Sequence, residues 1–183
     1  LRKGEMLALQ WSDIDFENST VSVTKAAAVV DSKQVCKAPK TKNSRREVSI
    51  PRFLTDRLHY MMVEQTKTKE SLSAYWKGNN WLFTQSDGSM MSYSTPYATF
   101  QDAIDRYNAD KEPADQLPHI PFHGLRHTSA TLLIAAHQDV RTVSNRLGHA
   151  QASTTMNIYA HALKENDRTA SNALENMLCK TGV

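Results

Sequence analysis

The feature that most constrains the fold is the division of the chain into an early part with strand-like patterns and a late part that is almost wholly helical. Residues 20–24 and 47–51 alternate β-branched or apolar residues with polar ones, as half-buried strands do, and residues 28–30 are also extended in character. After Pro121 the pattern is helical almost to the end. This order predicts an α+β fold, mainly helical, with a small antiparallel β-sheet near the N-terminus, rather than repeated strand–helix units.

Helix ends are marked by residues with known terminal preferences. Pro51 suits a helix start, Ser94 can cap a helix, and Gly148 can end one. In chain order, the predicted helices are 4–11, 51–66, 94–107, 123–136, 139–147, 152–161 and 164–178. The last is amphipathic, so one of its faces is expected to pack against protein.

Charge is concentrated in one stretch. The chain of 183 residues has 22 Lys and Arg against 19 Asp and Glu, a balance that permits a polyanionic partner without demanding one. Between Lys37 and Arg57, however, there are seven basic residues and two acidic ones. Such a stretch can bind phosphates or can be a solvated loop.

Chain length and cysteine usage limit the class of protein. The length suits a single domain with a real core. Cys36 and Cys179 lie far apart, without metal-ligand spacing or a secretory context, so we expect reduced thiols and no disulfide. No apolar run is long enough to span a bilayer and no signal peptide is seen, which predicts a cytoplasmic protein without a membrane partner. The first residue is Leu1 rather than Met, so we expect a piece of a longer protein.

Four short motifs carry the chemistry: Leu-Arg2-Lys-Gly-Glu5, His123-Gly-Leu-Arg126-His127, Leu-Gly-His149, and Asn-Ile-Tyr159-Ala-His. A guanidinium stays protonated and can offer two parallel donors to two phosphate oxygens, so arginines suit a phosphodiester whose charge grows during attack. His123 precedes Arg126 by three residues, so their side chains can converge near a helix start.

In their order and spacing, these motifs resemble the catalytic signature of the tyrosine recombinases, the phage integrase family. The resemblance implies that Arg2 and Arg126 meet the phosphate charge and that Tyr159 is the nucleophile. It also implies that His123 takes part in proton transfer involving the tyrosine hydroxyl, with a hydrogen bond to a phosphate oxygen as the second option, and that His149 donates a hydrogen bond to a non-bridging oxygen. Glu5 and His127 are expected as supporting residues, Glu5 to orient an arginine and His127 to hold neighbouring backbone groups.

The resemblance also assigns roles within the basic stretch. Lys40 is expected to protonate the leaving 5′ oxygen, with Lys42 as a competing candidate. Lys42, Arg45 and Arg46 are expected to contact DNA.

The implied function is site-specific DNA recombination by an integrase of a phage or mobile element through a covalent 3′-phosphotyrosyl intermediate, with no metal, ATP or other cofactor. The implied partners are double-stranded DNA attachment sites, further copies of the chain in a tetrameric synapse, and accessory directionality proteins. The final helix is the expected contact between copies, with a monomer expected in the absence of DNA. We expect residues 1–183 to form the catalytic domain, lacking an upstream DNA-binding domain, in a bacterial, nucleoid-associated protein.

Two local departures from the family pattern affect turns rather than catalytic groups. Gly124 stands where the family often has an acid, and Ala136-His137-Gln138 stands where a turn containing glycine is more usual.

Three other readings are considered. A tyrosine-type topoisomerase would use similar residues, but the motifs look more like those of integrases. A non-catalytic DNA-binding relative would bind phosphates while Tyr159 remained incidental. A metal-dependent hydrolase could use His123, His127 and His149, because histidines four apart on a helix can share a metal. Against it, Gly124 occupies the position of the Glu in the zinc-protease motif.

Overall fold

The computed structural model describes residues 1–38, 45–148 and 175. The chain forms two compact units, Leu1–Arg126 and His127–Val183. In chain order, the α-helices and strands are α1 (Lys3–Leu7), β1 (Ile14–Asp15), β2 (Thr20–Val23), β3 (Ala26–Val30), β4 (Lys33–Lys37), β5 (Arg46–Ser49), α2 (Arg52–Leu72), α3 (Thr95–Asn108), α4 (Gly124–Ala135) and α5 (Val140–Leu147). Short 3₁₀ turns lie at Trp11–Asp13, Ser73–Tyr75 and Pro113–Asp115.

Antiparallel sheets occupy the N-terminal part, as predicted, but residues 1–38 and 45–49 form two sheets rather than one. The first has the order β1-β2-β5, and Val23 of β2 is paired with Arg46 of β5. The second is the hairpin β3-β4, joined by Asp31 and Ser32, which both have positive φ angles. Such a pair of residues forms the tight turn whose twist matches antiparallel strands.

Helix α1 is fixed by a small apolar cluster, in which Leu7, Ala8 and Ala27 are buried. A Cβ atom at Gly4 would lie 2.3 Å from the carbonyl oxygen of Ala27, so only glycine allows the helix to approach β3 this closely. A second cluster is centred on Leu9, Ile14, Val21 and Leu82. These contacts place the start of α1, and therefore Arg2, against the sheets.

The early helices differ from prediction at their ends. Helix α1 stops at Leu7 instead of reaching residue 11, and α2 continues to Leu72. Ser94 occupies the predicted N-cap position of α3, but its hydroxyl lies 3.2 Å from that of Ser92 and makes no capping bond.

In the second unit, α5 ends at Leu147 as predicted and begins at Val140, one residue later than predicted, with Asp139 as its N-cap. The Asp139 carboxylate accepts a hydrogen bond from the Thr142 backbone N–H at 2.8 Å, and Gly148 ends the helix with a φ of 69°. The part of α4 that belongs to this unit packs Ala130 and Ile134 with Val143 and Leu147 of α5. The predicted helices 152–161 and 164–178 lie outside the described residues. Over the described ranges, no helix is both long and apolar enough to cross a membrane.

Candidate active site

Arg2 is held at the start of α1 by Glu5, the third residue of that helix. The Glu5 carboxylate accepts a hydrogen bond from the Arg2 backbone N–H at 2.8 Å. This contact satisfies one of the N–H groups that a helix start leaves without an intrahelical acceptor. The same carboxylate accepts a second bond from Arg2 Nη1, also at 2.8 Å. Backbone and side chain of Arg2 are therefore fixed by one acid.

Glu5 also binds Arg46, the first residue of β5. Arg46 Nη1 and Nη2 lie 3.1 and 2.8 Å from the two Glu5 oxygens, which is a bidentate pair. Glu5 is only 4% exposed, and the Arg46 side chain is also buried. A single buried carboxylate thus connects two arginines that are distant in sequence.

The protonation state of Glu5 follows from these contacts. Burial raises the pKa of this carboxyl, but hydrogen bonds from the Arg46 side chain and the Arg2 backbone, with the Arg46 charge and the Arg2 side chain, outweigh it. The result is a pKa of about 2. Glu5 is consequently ionised at neutral pH, and the two arginines with their shared carboxylate carry one net positive charge.

Arg2 opens onto a cavity of about 450 Å³. Its lining residues are Arg2, Lys3, Gly4, Tyr93, Tyr97, Pro121, Phe122 and His123. The Lys3 ammonium lies 4.0 Å from the centre of the Tyr93 ring, a cation–π contact that keeps a second positive charge beside Arg2. The fold therefore brings Arg2 and His123, from the two ends of the first unit, to one cavity with a cationic wall.

His123 immediately precedes α4. The backbone turn around it is closed by a bond from Gly124 N–H to the Pro121 carbonyl at 2.7 Å and by one from Arg126 N–H to the His123 carbonyl at 3.1 Å. Arg126 is 6% exposed and lies one turn along the helix from His123. Arg126 thus follows His123 at the helix start, as the sequence motif predicted.

The remaining predicted residues are placed as follows. Arg45 is exposed directly before β5, whereas the neighbouring Arg46 is buried against Glu5. His127 is half-buried, and its carbonyl accepts a bond from the Thr131 hydroxyl. The predicted sites Lys40, Lys42, His149 and Tyr159 lie outside the described residues. Their roles stay predictions.

Of the eight residues that line the cavity, sequence reasoning predicted Arg2 and His123 and missed the other six, which include Lys3, Tyr93 and Tyr97. Lys3 directly follows Arg2 in the sequence, so its position inside the first motif could have predicted it as a site residue. The two tyrosines belong to no motif, and only the tertiary structure brings them to Arg2.

Metal binding was the basis of one alternative reading. Within the described ranges, no group of three or more His, Cys, Asp or Glu side chains is arranged to hold a metal ion. That alternative also requires His149, which lies outside these ranges.

Comparison with known proteins identifies the family. Residues 1–166 match the sequence model of the phage integrase family. The chain belongs to this family. The resemblance seen in the four motifs is thereby confirmed.

Individual relatives of this phage integrase chain are bacterial recombinases and integrases. It is 31% identical over 189 residues to a XerC-like tyrosine recombinase of Caldanaerobacter subterraneus, covering 97% of this chain and 46% of that protein. It is 32% identical to the ICEBs1 integrase of Bacillus subtilis, again covering 97% of this chain and 46% of the relative. The chain thus spans about half the length of these curated relatives.

A solved structure shows the same fold. The Tn1549 transposon integrase in complex with transposon right-end DNA matches with a TM-score of 0.78 at 24% identity, over 96% of this chain and 55% of that one. The XerA recombinase matches with a TM-score of 0.65, also at 24% identity. The predicted α+β class, mainly helical with small antiparallel sheets near the N-terminus, is confirmed.

Proposed function

We propose that this chain is the catalytic part of a site-specific DNA recombinase, an integrase of a phage or mobile element that cleaves and rejoins DNA strands. One observation carries the proposal: in a member of the phage integrase family, Arg2 is held by the buried Glu5 and shares a cavity with His123. Two residues that the family motifs assign to phosphate chemistry thus line one cavity, although they are distant in sequence.

The cavity suits a phosphodiester. Arg2 is partly exposed there and can offer N–H donors to non-bridging oxygens, with Lys3 adding positive charge. Arg126 is the second arginine that we assign to the phosphate. Because fixed donors need no rearrangement as charge develops, they stabilise the transition state more than the bound substrate.

In the proposed reaction, the Tyr159 hydroxyl attacks the scissile phosphorus. The bond from the tyrosine oxygen to phosphorus forms as the bond from phosphorus to the 5′ oxygen breaks. His123 takes part in removing the phenolic proton, Lys40 or Lys42 protonates the 5′ oxygen, and His149 donates a hydrogen bond to a non-bridging oxygen. The phosphotyrosyl ester conserves the bond energy, so a 5′ hydroxyl of another strand can displace the tyrosine without ATP or a metal.

The proposed partners follow from this reaction. Double-stranded attachment sites are the substrate, and we assign DNA-backbone contacts to Lys42 and to the exposed Arg45. We propose assembly into a tetramer on DNA through the C-terminal residues 163–178, with a monomer in the absence of DNA and with accessory proteins setting direction. The proposed location is the bacterial cytoplasm, in association with the nucleoid. The similarity to bacterial integrases supports these proposals.

The deciding experiment uses the full-length protein and a nicked suicide substrate that carries its attachment site. We expect a protein–DNA adduct that survives denaturation, is lost in Tyr159→Phe and is retained in Tyr75→Phe. Tyr75 is a matched control because this residue is 81% exposed.

Three outcomes would overturn the proposal. Specific binding without any adduct would identify a non-catalytic DNA-binding relative. An adduct that persists in Tyr159→Phe would move the nucleophile to another residue. Stoichiometric zinc in the purified protein, with activity lost on chelation, would favour the metal-dependent hydrolase.

A further inference from the structure

The guanidinium of Arg46 is not placed as an ordinary DNA contact would be. From its position in the basic stretch it was predicted to bind DNA, yet its side chain is only 8% exposed and both its terminal nitrogens lie on Glu5. The neighbouring Arg45 is exposed. Breaking a buried bidentate ion pair leaves an uncompensated buried charge, so Arg46 should remain on Glu5 when DNA binds.

Backbone pairing within the sheet also fixes the position of Arg46. As the first residue of β5, it is opposite Val23, whose side chain is fully buried in β2. The guanidinium therefore projects from a rigid sheet rather than from a mobile surface loop. Through Glu5, this sheet is connected to the first turn of α1, where Arg2 lies.

Arg2, Glu5 and Arg46 form a charged cluster, and counting its charges shows what Arg46 contributes to it. One Glu5 oxygen accepts bonds from Nη1 of both Arg2 and Arg46. If Arg46 were neutral, the ionised Glu5 would face Arg2 alone and would neutralise it. With Arg46 present, the cluster keeps one positive charge, and Arg2 is its more exposed member, with a side chain 40% exposed against 8% for Arg46.

We propose that Arg46 is a positioning residue for DNA cleavage. It holds Glu5 in place and offsets the Glu5 charge, so that Arg2 stays oriented and positively charged toward the scissile phosphate. Arg46 itself does not touch DNA. This inference rests on the proposed recombinase function and deepens it.

The test measures two quantities on the full-length protein: the single-turnover rate of adduct formation at saturating protein, and DNA affinity as a function of salt. We expect Arg46→Gln to slow adduct formation by about 100-fold, because Arg2 would then act poorly as a donor to the transition state, and losing one such donor has about this effect. The double variant Glu5→Gln/Arg46→Gln keeps one positive charge in the cluster, so its salt dependence should match the wild type, whereas Arg45→Gln should lower the slope by about 0.9, as expected for one lost phosphate contact. Arg106→Gln, on the exposed last turn of α3, is the matched control for charge alone.

A second variant tests the charge argument. Adding Glu5→Gln to Arg46→Gln removes the unbalanced carboxylate, so the double variant should form adduct about tenfold faster than Arg46→Gln alone, a coupling typical of groups in direct contact. If Glu5→Gln slows adduct formation by the same factor whether or not Arg46 is present, the proposal is overturned. All rates are compared at a temperature where melting curves show every variant to be folded.

If Arg46→Gln does not fold, Arg46→Lys carries the test. Lysine keeps the charge but cannot make the bidentate contact, so we expect adduct formation about tenfold slower with unchanged salt dependence. A wild-type rate for Arg46→Lys would overturn the positioning role.

The remaining outcomes separate the inference from the proposed function. If Arg46→Gln forms adduct at the wild-type rate and loses salt dependence as Arg45→Gln does, Arg46 is a DNA contact and only the inference fails. If the wild-type protein forms no adduct, the recombinase function fails and the inference fails with it.

Discussion

Glu5 couples the candidate site to acid stability. Its pKa is about 2 in the folded protein against an ordinary 4.5. Because the folded value is lowered, the stabilisation is complete above pH 4.5 and is lost as the pH falls through about 2. Its size is about 3 kcal/mol. We expect Glu5→Gln to lower the free energy of unfolding at pH 7 and to flatten its fall between pH 4.5 and 2, measured by urea denaturation.

Glu64→Gln is the control for the Glu5 prediction. Glu64 pairs with Lys67 at 2.7 Å on the exposed face of α2, and such surface pairs contribute less than about 1 kcal/mol. Equal losses in the two variants would contradict a special role for the buried carboxylate.

The turn that ends α4 contains a non-glycine residue, His137, in the left-handed conformation. Its φ is 58°, and bonds from His137 N–H to the Ile134 carbonyl and from Gln138 N–H to the Leu133 carbonyl complete the turn after α4. Glycine adopts this conformation without steric cost. We expect His137→Gly to raise the free energy of unfolding by about 1 kcal/mol, measured by thermal melting.

His137→Ala separates the two possible causes. Alanine removes the imidazole but keeps the Cβ atom, so its stability should stay close to that of the wild type. If the alanine variant were as stable as the glycine variant, the imidazole and not the backbone conformation would be what lowers the stability of the wild type.

The motifs pointed to two residues, Arg2 and His123, that line one cavity in the structure. Arg2 and His123 stood in recognisable motifs, and Glu5 was expected to orient an arginine. The sequence did not reveal that Arg46 would complete this contact, because the basic stretch from 37 to 57 contains seven similar charges. Among the members of this stretch that the structure describes, the pairing of β5 with β2 singles out Arg46 for burial.

At the level of elements, the close approach of α1 to β3 is the contact on which the position of Arg2 depends. An added methyl at Gly4 would meet the Ala27 backbone oxygen at 2.3 Å, and that oxygen cannot move without shifting the strand. We expect Gly4→Ala to lower the free energy of unfolding by about 3 kcal/mol, measured by chemical denaturation, since overpacking typically costs this much.

Gly124→Ala is the matched control for the α1 contact. Its new methyl would lie 3.3 Å from Cδ1 of Ile120, the end of a flexible side chain that can rotate away. We expect a change within about 1 kcal/mol of wild type, because alanine also favours the helix. Equal losses at both glycines would mean that the approach of α1 to β3 is not specially tight.

Elements were predictable where a local signal marks their ends. Asp139 and Gly148 gave both boundaries of α5. Strand β4 was missed because Lys33–Lys37 is mostly polar and its turn, Asp31-Ser32, lacks the glycine that usually marks a tight hairpin. The end of helix α1 was misplaced because no capping residue marks it in the sequence. Its position coincides instead with the buried contacts of Leu7 and Ala8, which only the tertiary structure shows.

On the scale of the whole molecule, the positive charge that can attract DNA is concentrated rather than spread. The net charge is +3, whereas residues 37–57 alone have seven basic and two acidic groups, an excess of five. The rest of the chain therefore has a net charge of 3 − 5 = −2. If the chain acts on DNA as proposed, most of the salt-sensitive attraction should come from this one segment.

This distribution can be tested with two triple variants of equal charge. Replacing Lys37, Arg52 and Arg57 by Gln removes three exposed charges inside the segment, and replacing Lys67, Lys69 and Lys111 by Gln removes three exposed charges outside it. In the full-length protein, we expect the first variant to lose about 0.9 of the slope of log K against log salt for each phosphate contact removed. The second should keep the wild-type slope, measured by fluorescence anisotropy on duplex DNA. Equal losses of slope would mean that DNA is attracted by the charge of the whole chain rather than by the segment from 37 to 57.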